Sequence, residues 1–133
     1  LCFGENNFVD RMDLKVMSAH RNPNLVSEFA MSARSKGYDI LIGAAGMAAH
    51  LAGALKAHST LPVIGVPLAG GIEDGMDALL STVQMPKGVP VATMAVGKAG
   101  AINAAILSAE ILSLNNSNLI EKLREFKNVG SKL

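Results

Sequence analysis

The residues of this chain with the most chemistry in them stand together in Ser18-Ala19-His20-Arg21, directly ahead of Asn22-Pro23. An imidazole titrates near neutrality, and a guanidinium offers a planar fork of donors that matches phosphate or carboxylate. Asn22 is a favoured N-cap type and Pro23 suits the first position of a helix, whose free N–H groups attract anions. The cluster therefore fits an anionic substrate that needs a proton moved. A surface histidine beside a helix cap is the plainer reading of the same residues. A second histidine, His50, lies in Gly43-Ala44-Ala45-Gly46-Met47-Ala48-Ala49-His50-Leu51. It reads as standing about one turn into a helix, either close to the same site or as a hydrogen-bonded core residue. The third, His58, beside Lys56, Ser59 and Thr60, reads as solvated.

These side chains need elements to position them, and the stretch from Ile40 to Leu51 is the centre. Its first half is a short apolar run of the kind a strand buried on both faces shows, and its second half continues as a small-residue helix. Gly43 and Gly46 sit between the two, either exposing backbone N–H groups around a hole at the strand's carboxyl end or only allowing tight packing. Leu14-Lys15-Val16-Met17 reads as an earlier strand that ends at Ser18. A helix from Asn22 puts Leu25, Phe29 and Ala33 on one face and stops at Gly37. Val63–Val66 and Val91–Val96 read as two further strands. The Gly-rich loop Leu68–Gly75 between them reads as mobile enough to close over a site, and Met76–Val83 as a helix. Gly97-Lys98-Ala99-Gly100 is another strand-end turn, followed by a helix Ala101–Leu114 that is apolar on nearly all sides. Asn118 with Glu121 resembles a capping box, opening a last helix whose apolar face is Leu119, Leu123 and Phe126. Residues 1–12 read as a loop or frayed end. Strands alternating with helices over short turns argue for a parallel sheet covered by helices, with its loops gathered on one edge.

Composition narrows the chemistry. The 133 residues suit one domain, and with 4% aromatics and no Trp the core must be built from small and unbranched side chains. A mean hydropathy of +0.32 with 17% charged residues points to apolar surface covered by other copies of the chain. Twelve basic and 11 acidic residues give a net charge of +1, without an interleaved aromatic series, so nucleic acid is a poor partner. The single cysteine, Cys2, excludes an internal disulfide and a Cys-based metal cluster, and fits a reducing compartment. No apolar stretch reaches the roughly 20 residues that a membrane-spanning helix needs. Neither the Gly-x-Gly-x-x-Gly nor the phosphate-loop pattern occurs, nor a Gly-x-Ser-x-Gly elbow, nor convincing metal-ligand spacing. Cofactor-free acid/base chemistry on a small anionic molecule remains.

At this point the motifs become recognisable. Ser18-Ala19-His20-Arg21-Asn22-Pro23, Gly43 to Leu51, Pro62-Val63-Ile64-Gly65-Val66-Pro67, Ser81 to Thr93 with its Gln84-Met85-Pro86, and Gly97 to Ala105 together resemble the 5-(carboxyamino)imidazole ribonucleotide mutase family, PurE. They come in the family's order over residues 13–114, within a single mutase-like domain of residues 1–133 whose last part, 115–133, is a helix and tail. The resemblance implies a three-layer αβα, flavodoxin-like α/β fold with a parallel sheet. It also implies a cytoplasmic homo-octamer with active sites between subunits, and no metal or organic cofactor. The implied reaction of purine biosynthesis moves a carboxylate from the exocyclic nitrogen to ring carbon 4 of aminoimidazole ribonucleotide, through bound carbon dioxide. His20 matches the catalytic histidine. Ser18 and Arg21 match contacts to ribose and phosphate, and Ala19, between Ser18 and His20, counts with them as substrate-binding. Ala45, Gly46, His50 and Leu51 match the loop around the carboxylate.

The chain also departs from the family. The amino-terminal strand and Gly-Ser-x-Ser-Asp turn have no counterpart in residues 1–12, so the first strand is expected to be missing. Met47 adds bulk where glycine is usual, and Ala52 replaces a proline. An incomplete copy of the protein is the favoured explanation, a degenerate homologue the other. Three functions follow: the mutase, the related direct carboxylase, which usually has Lys in place of Arg21, and a non-catalytic assembly subunit.

Overall fold

The computed structural model describes residues 12–132, so the readings for Cys2 and for residues 1–11 lie outside the described residues. The backbone forms two compact units, Lys15–Ala104 and a smaller one that takes in residues 12–14 and 105–132.

In the larger unit the elements run α1 Pro23–Ala33, β1 Leu41–Ala45, α2 Leu51–Ala57, β2 Val63–Pro67, α3 Met76–Val83 and β3 Ala92–Thr93. The strands form one parallel sheet in the order β1-β2-β3, with Gly43 opposite Gly65 and Gly65 opposite Thr93. Helices flank this sheet in the flavodoxin-like α/β manner that the resemblance implies. The central strand β2 is buried at all five residues, which is why Val63-Ile64-Gly65-Val66 carries no polar alternation. Burying Ile64 and Val66 fully contributes about 1.5–3 kcal/mol each. The core joins Val26, Ala30 and Ala33 of α1 to Ala52 and Leu55 of α2 and to Leu41 and Val63 of the sheet. The face of α1 is therefore Val26, Ala30 and Ala33, and Leu25, expected on it, is half exposed. The helix does stop at Gly37, whose φ of 82° closes the final 3-10 turn.

Two glycines decide how close the layers come. A Cβ on Gly43 would lie 2.8 Å from the Ala52 Cα, and one on Gly65 would run into Thr82 Cγ2 and reach 2.9 Å from Val91. Gly43 is thus the tight-packing glycine, setting α2 down on β1. The buried Ala52 fills the same gap, 3.3 Å from the position of a Gly65 Cβ.

Two expectations need correction here. Leu14–Met17 forms no strand, and Leu14 and Val16 are 84% and 96% exposed, because alternating apolar side chains make a strand only where a neighbour supplies a ladder. Among the described residues, the sheet's strands pair only with one another. The last strand is the two residues Ala92–Thr93 rather than Val91–Val96, since the backbone turns away after Met94 N–H bonds to Gly65 O. Within the Gly-rich loop Asp74 Oδ1 accepts from Gly70 N–H at 3.0 Å and Asp77 Oδ2 from Ile72 N–H at 3.1 Å.

Helix α4 spans Lys98–Ser113, starting three residues earlier than expected, after Gly97 at φ 75°. In the smaller unit α5, Ser117–Asn128, packs Leu123 and Phe126 on Ala109, with Ile106 alongside. Asn116 and not Asn118 is its cap, accepting the Asn118 N–H on its own side-chain oxygen at 3.1 Å, so the expected capping box does not form. No helix among the described residues is long and apolar enough to cross a membrane.

The steric roles of the two sheet glycines are testable by urea unfolding. Gly43→Ala and Gly65→Ala are each expected to lower the unfolding free energy by about 1–3 kcal/mol. Wild-type midpoints for both would contradict the packing described.

Candidate active site

Parallel strands put the segments that follow them on a single sheet edge, and here backbone bonds sew those segments together. Leu68 N–H bonds to Ala45 O at 2.9 Å and Gly97 N–H to Pro67 O at 2.8 Å. The turn ahead of α1 has its own lock, with Arg21 N–H donating to Ser18 Oγ at 3.2 Å and Asn22 N–H to Ser18 O at 2.9 Å. Asn22 occupies the cap position without a side-chain bond, and Pro23 opens the helix as expected.

The two fixed turns bring His20 and His50 together. His20 Nε2 lies 2.9 Å from His50 Nδ1, with ring centroids 5.0 Å apart and planes inclined at 74°. Residues thirty apart in sequence meet because His50 is not one turn into a helix. It is the residue just before α2, with its N–H bonded to Ala48 O and its carbonyl accepting from Ala54. The contact requires one ring nitrogen to carry a proton and the other to be bare. When His20 Nε2 donates, its Nδ1 is a bare base. When His50 Nδ1 donates instead, a neutral His20 carries its proton on Nδ1, which is then a hydrogen-bond donor. Both rings are exposed, so a solute can reach them.

The pair opens on a pocket of about 520 Å³. Ala19, His20 and His50 form one part of its wall, Gly53 and Ala54 of α2 another, and the end of α3 with Leu80, Ser81, Gln84 and Met85 the rest. Of the anticipated site residues, only Ala19, His20 and His50 line it. Arg21 lies on a separate groove of about 390 Å³ along the start of α1, with Asn22 and Asn24. Ser18 is spent on holding the turn. Ala45 and Gly46 end β1 beside Leu68, where a Cβ on Gly46 would meet Leu68 Cβ at an ordinary 3.6 Å. Leu51 packs against the core. Met47, the bulky departure, takes a left-handed φ of 54°, is 67% exposed and does not line the pocket. His58 is exposed, as read.

The α2 and α3 wall was not anticipated. The signal lay in Ser81 and Gln84-Met85, which belong to the motif Ser81–Thr93 but carry no proton chemistry of their own. Gly53 belongs there too, because the Met85 sulfur sits 3.4 Å from where its Cβ would be.

Two measurements follow. Gly53→Ala is expected to raise the unfolding free energy by about 0.5–1 kcal/mol, since the helix prefers alanine and the contact with Met85 is an ordinary one. A loss of stability would contradict this. In ¹⁵N NMR of the imidazoles, His50→Phe is expected to shift the His20 Nε2 resonance while His58→Gln leaves it alone. An unmoved His20 signal in His50→Phe would contradict the pairing.

Comparison with known proteins gives one answer. The AIR carboxylase family model matches residues 6–132. The chain is 50% identical over 115 residues to the N5-carboxyaminoimidazole ribonucleotide mutase of Pseudomonas aeruginosa, covering 86% of this chain and 71% of that protein. It is 55% identical over 111 residues to the mutase of that name from Bacillus subtilis, covering 84% and 68%, and 46% over 114 residues to that of Escherichia coli K12, covering 86% and 68%. The motif order, the parallel sheet and these matches agree, and the chain belongs to the AIR carboxylase family.

Proposed function

We propose that this protein is a 5-(carboxyamino)imidazole ribonucleotide mutase of purine biosynthesis, with His20 as its general acid/base. The observation that carries the reading is the 2.9 Å contact between His20 and His50 at the mouth of a pocket. The names and identities of the relatives support the substrate.

The balance of the reaction explains why one imidazole suffices. The carbamate C–N bond breaks, carbon dioxide leaves with the bond's electron pair remaining on nitrogen, and that nitrogen takes up a proton. Ring carbon 4 then attacks the carbon dioxide, a C–C bond forms, and the proton on carbon 4 is lost. One proton is given and one taken, so the substrate and product are isomers and the enzyme ends as it began. An imidazole that gives its proton to nitrogen and recovers one from carbon 4 closes the cycle. His50 steadies it: with His20 Nε2–H donating to His50 Nδ1 throughout, His20 Nδ1 is the nitrogen that gives the proton from the imidazolium and takes it back as the neutral ring. In this reading Arg21 and Ser18 serve the ribose phosphate at the start of α1. His50 borders the carboxylate beside His20, and Ala45, Gly46 and Leu51, which do not line the pocket, support the segment that carries His50.

The chain works as one mutase-like domain of a cytoplasmic homo-octamer, without metal or organic cofactor. Met76 and Val83 support the assembly: they stand at i and i+7 on one face of α3 and are 48% and 47% exposed, with Leu80 between them lining the pocket. The apolar composition of α4 points the same way.

Supplied with 5-(carboxyamino)imidazole ribonucleotide, the wild type is expected to form the 4-carboxy isomer, and His20→Asn to lose roughly 10²–10⁴ of that rate with its assembly intact. Turnover of aminoimidazole ribonucleotide with bicarbonate alone would favour the direct carboxylase. No turnover of either substrate by an intact wild-type oligomer would leave the assembly subunit as the answer.

A further inference from the structure

The α3 wall of the pocket carries a polar group that the proton chemistry leaves unused. Among the described residues, the polar side chains lining the pocket are His20, His50, Ser81 and Gln84. The Ser81 hydroxyl donates to Asp77 O at 2.6 Å, so its proton is taken. The Gln84 carboxamide has no hydrogen-bond partner among the described residues, yet its backbone is firmly set. Gln84 caps α3, its N–H bonded to Leu80 O at 3.2 Å, and Met85 N–H bonds to Val83 O at 2.9 Å. The Met85 side chain lies against Gly53 of α2, and the buried Thr82 holds Ala78 O at 2.7 Å. A carboxamide on a fixed helix end, sharing a pocket with an imidazole pair, is a positioned recognition group.

Its chemistry is specific. The NH₂ of a carboxamide donates to a carboxylate oxygen, while the adjacent C=O accepts from an amine. An aminoimidazole with a migrating carboxylate offers that same pair of groups, and it alone keeps the amine while the carboxylate changes place. A carboxamide can hold the amine still through the moment when carbon dioxide is free.

We propose that Gln84 orients the substrate for carboxylate transfer, its NH₂ on the carboxylate or carbon dioxide oxygen and its C=O on the exocyclic amine. The proposal rests on the mutase reading above and adds a residue to it. It distinguishes the α3 wall, which would align the migrating group, from the imidazole pair, which would move the proton.

The experiment follows both product and by-product with the full chain. Wild type, Gln84→Leu and Gln84→Glu are given 5-(carboxyamino)imidazole ribonucleotide, and the 4-carboxy isomer and released aminoimidazole ribonucleotide are quantified together. Because Gln84 is exposed, both variants are expected to keep the wild-type melting temperature and assembly. Gln84→Leu is expected to form the isomer roughly 100-fold more slowly. A larger share of its turnovers should end in the decarboxylated by-product. Gln84→Glu, which loses the donor and repels the carboxylate, should be slower still. Wild-type rates, or slower rates with an unchanged product ratio, would overturn the proposal. An inactive wild type would instead defeat the mutase reading, so the two failures are distinguishable.

Discussion

The proposed chemistry depends on one hydrogen bond between two imidazoles, His20 and His50. A lone exposed histidine exchanges protons with water indiscriminately, whereas two rings sharing one proton have a defined donor and a defined acceptor at any instant. That definition depends on geometry, because a shift of 1 Å would break the contact. The turn at Ser18–Arg21 and the turn ahead of α2 must therefore both be rigid; the first is closed by a side-chain and a backbone bond, the second by backbone bonds.

The sheet supplies the rigidity beneath. α2 starts immediately after His50, so wherever α2 is seated His50 is seated too. Gly43 and Gly65 let Ala52 and Thr82 reach the strands, and that close approach fixes both α2 and α3. The same packing carries Met85 onto Gly53 and so brings the end of α3 to the pocket. A glycine in the middle of a strand, which weakens the strand locally, is here what lets α3 and the helix that follows His50 pack close to the sheet.

Much of this was legible in the residues. The apolar runs at Leu41–Ala45 and Val63–Pro67, the stop at Gly37 and the helix Met76–Val83 follow from period and glycine placement. His20 stands out as a site candidate at the end of a strand-like run, whereas His50 reads either as near the same site or as a core histidine. Other features depend on partners that a one-dimensional pattern does not contain. Leu14–Met17 has the residues of a strand and lacks a ladder among the described residues. Whether His50 lies before or within a helix turns on backbone bonds to Ala48 and Ala54. Asn116 and Asn118 are equally good caps on paper, and the choice falls to the one whose side chain meets the free N–H. The α3 wall was hidden for a related reason, because Ser81, Gln84 and Met85 acquire meaning only when α2 and α3 lie side by side.

The central claim is spatial, and a crystal structure of the full chain with 4-carboxy-5-aminoimidazole ribonucleotide tests it most directly. The account expects ring carbon 4 within about 3–3.5 Å of a His20 ring nitrogen, with the His50 contact retained. A heterocycle bound beyond the reach of His20, in every copy of the assembly, would contradict it.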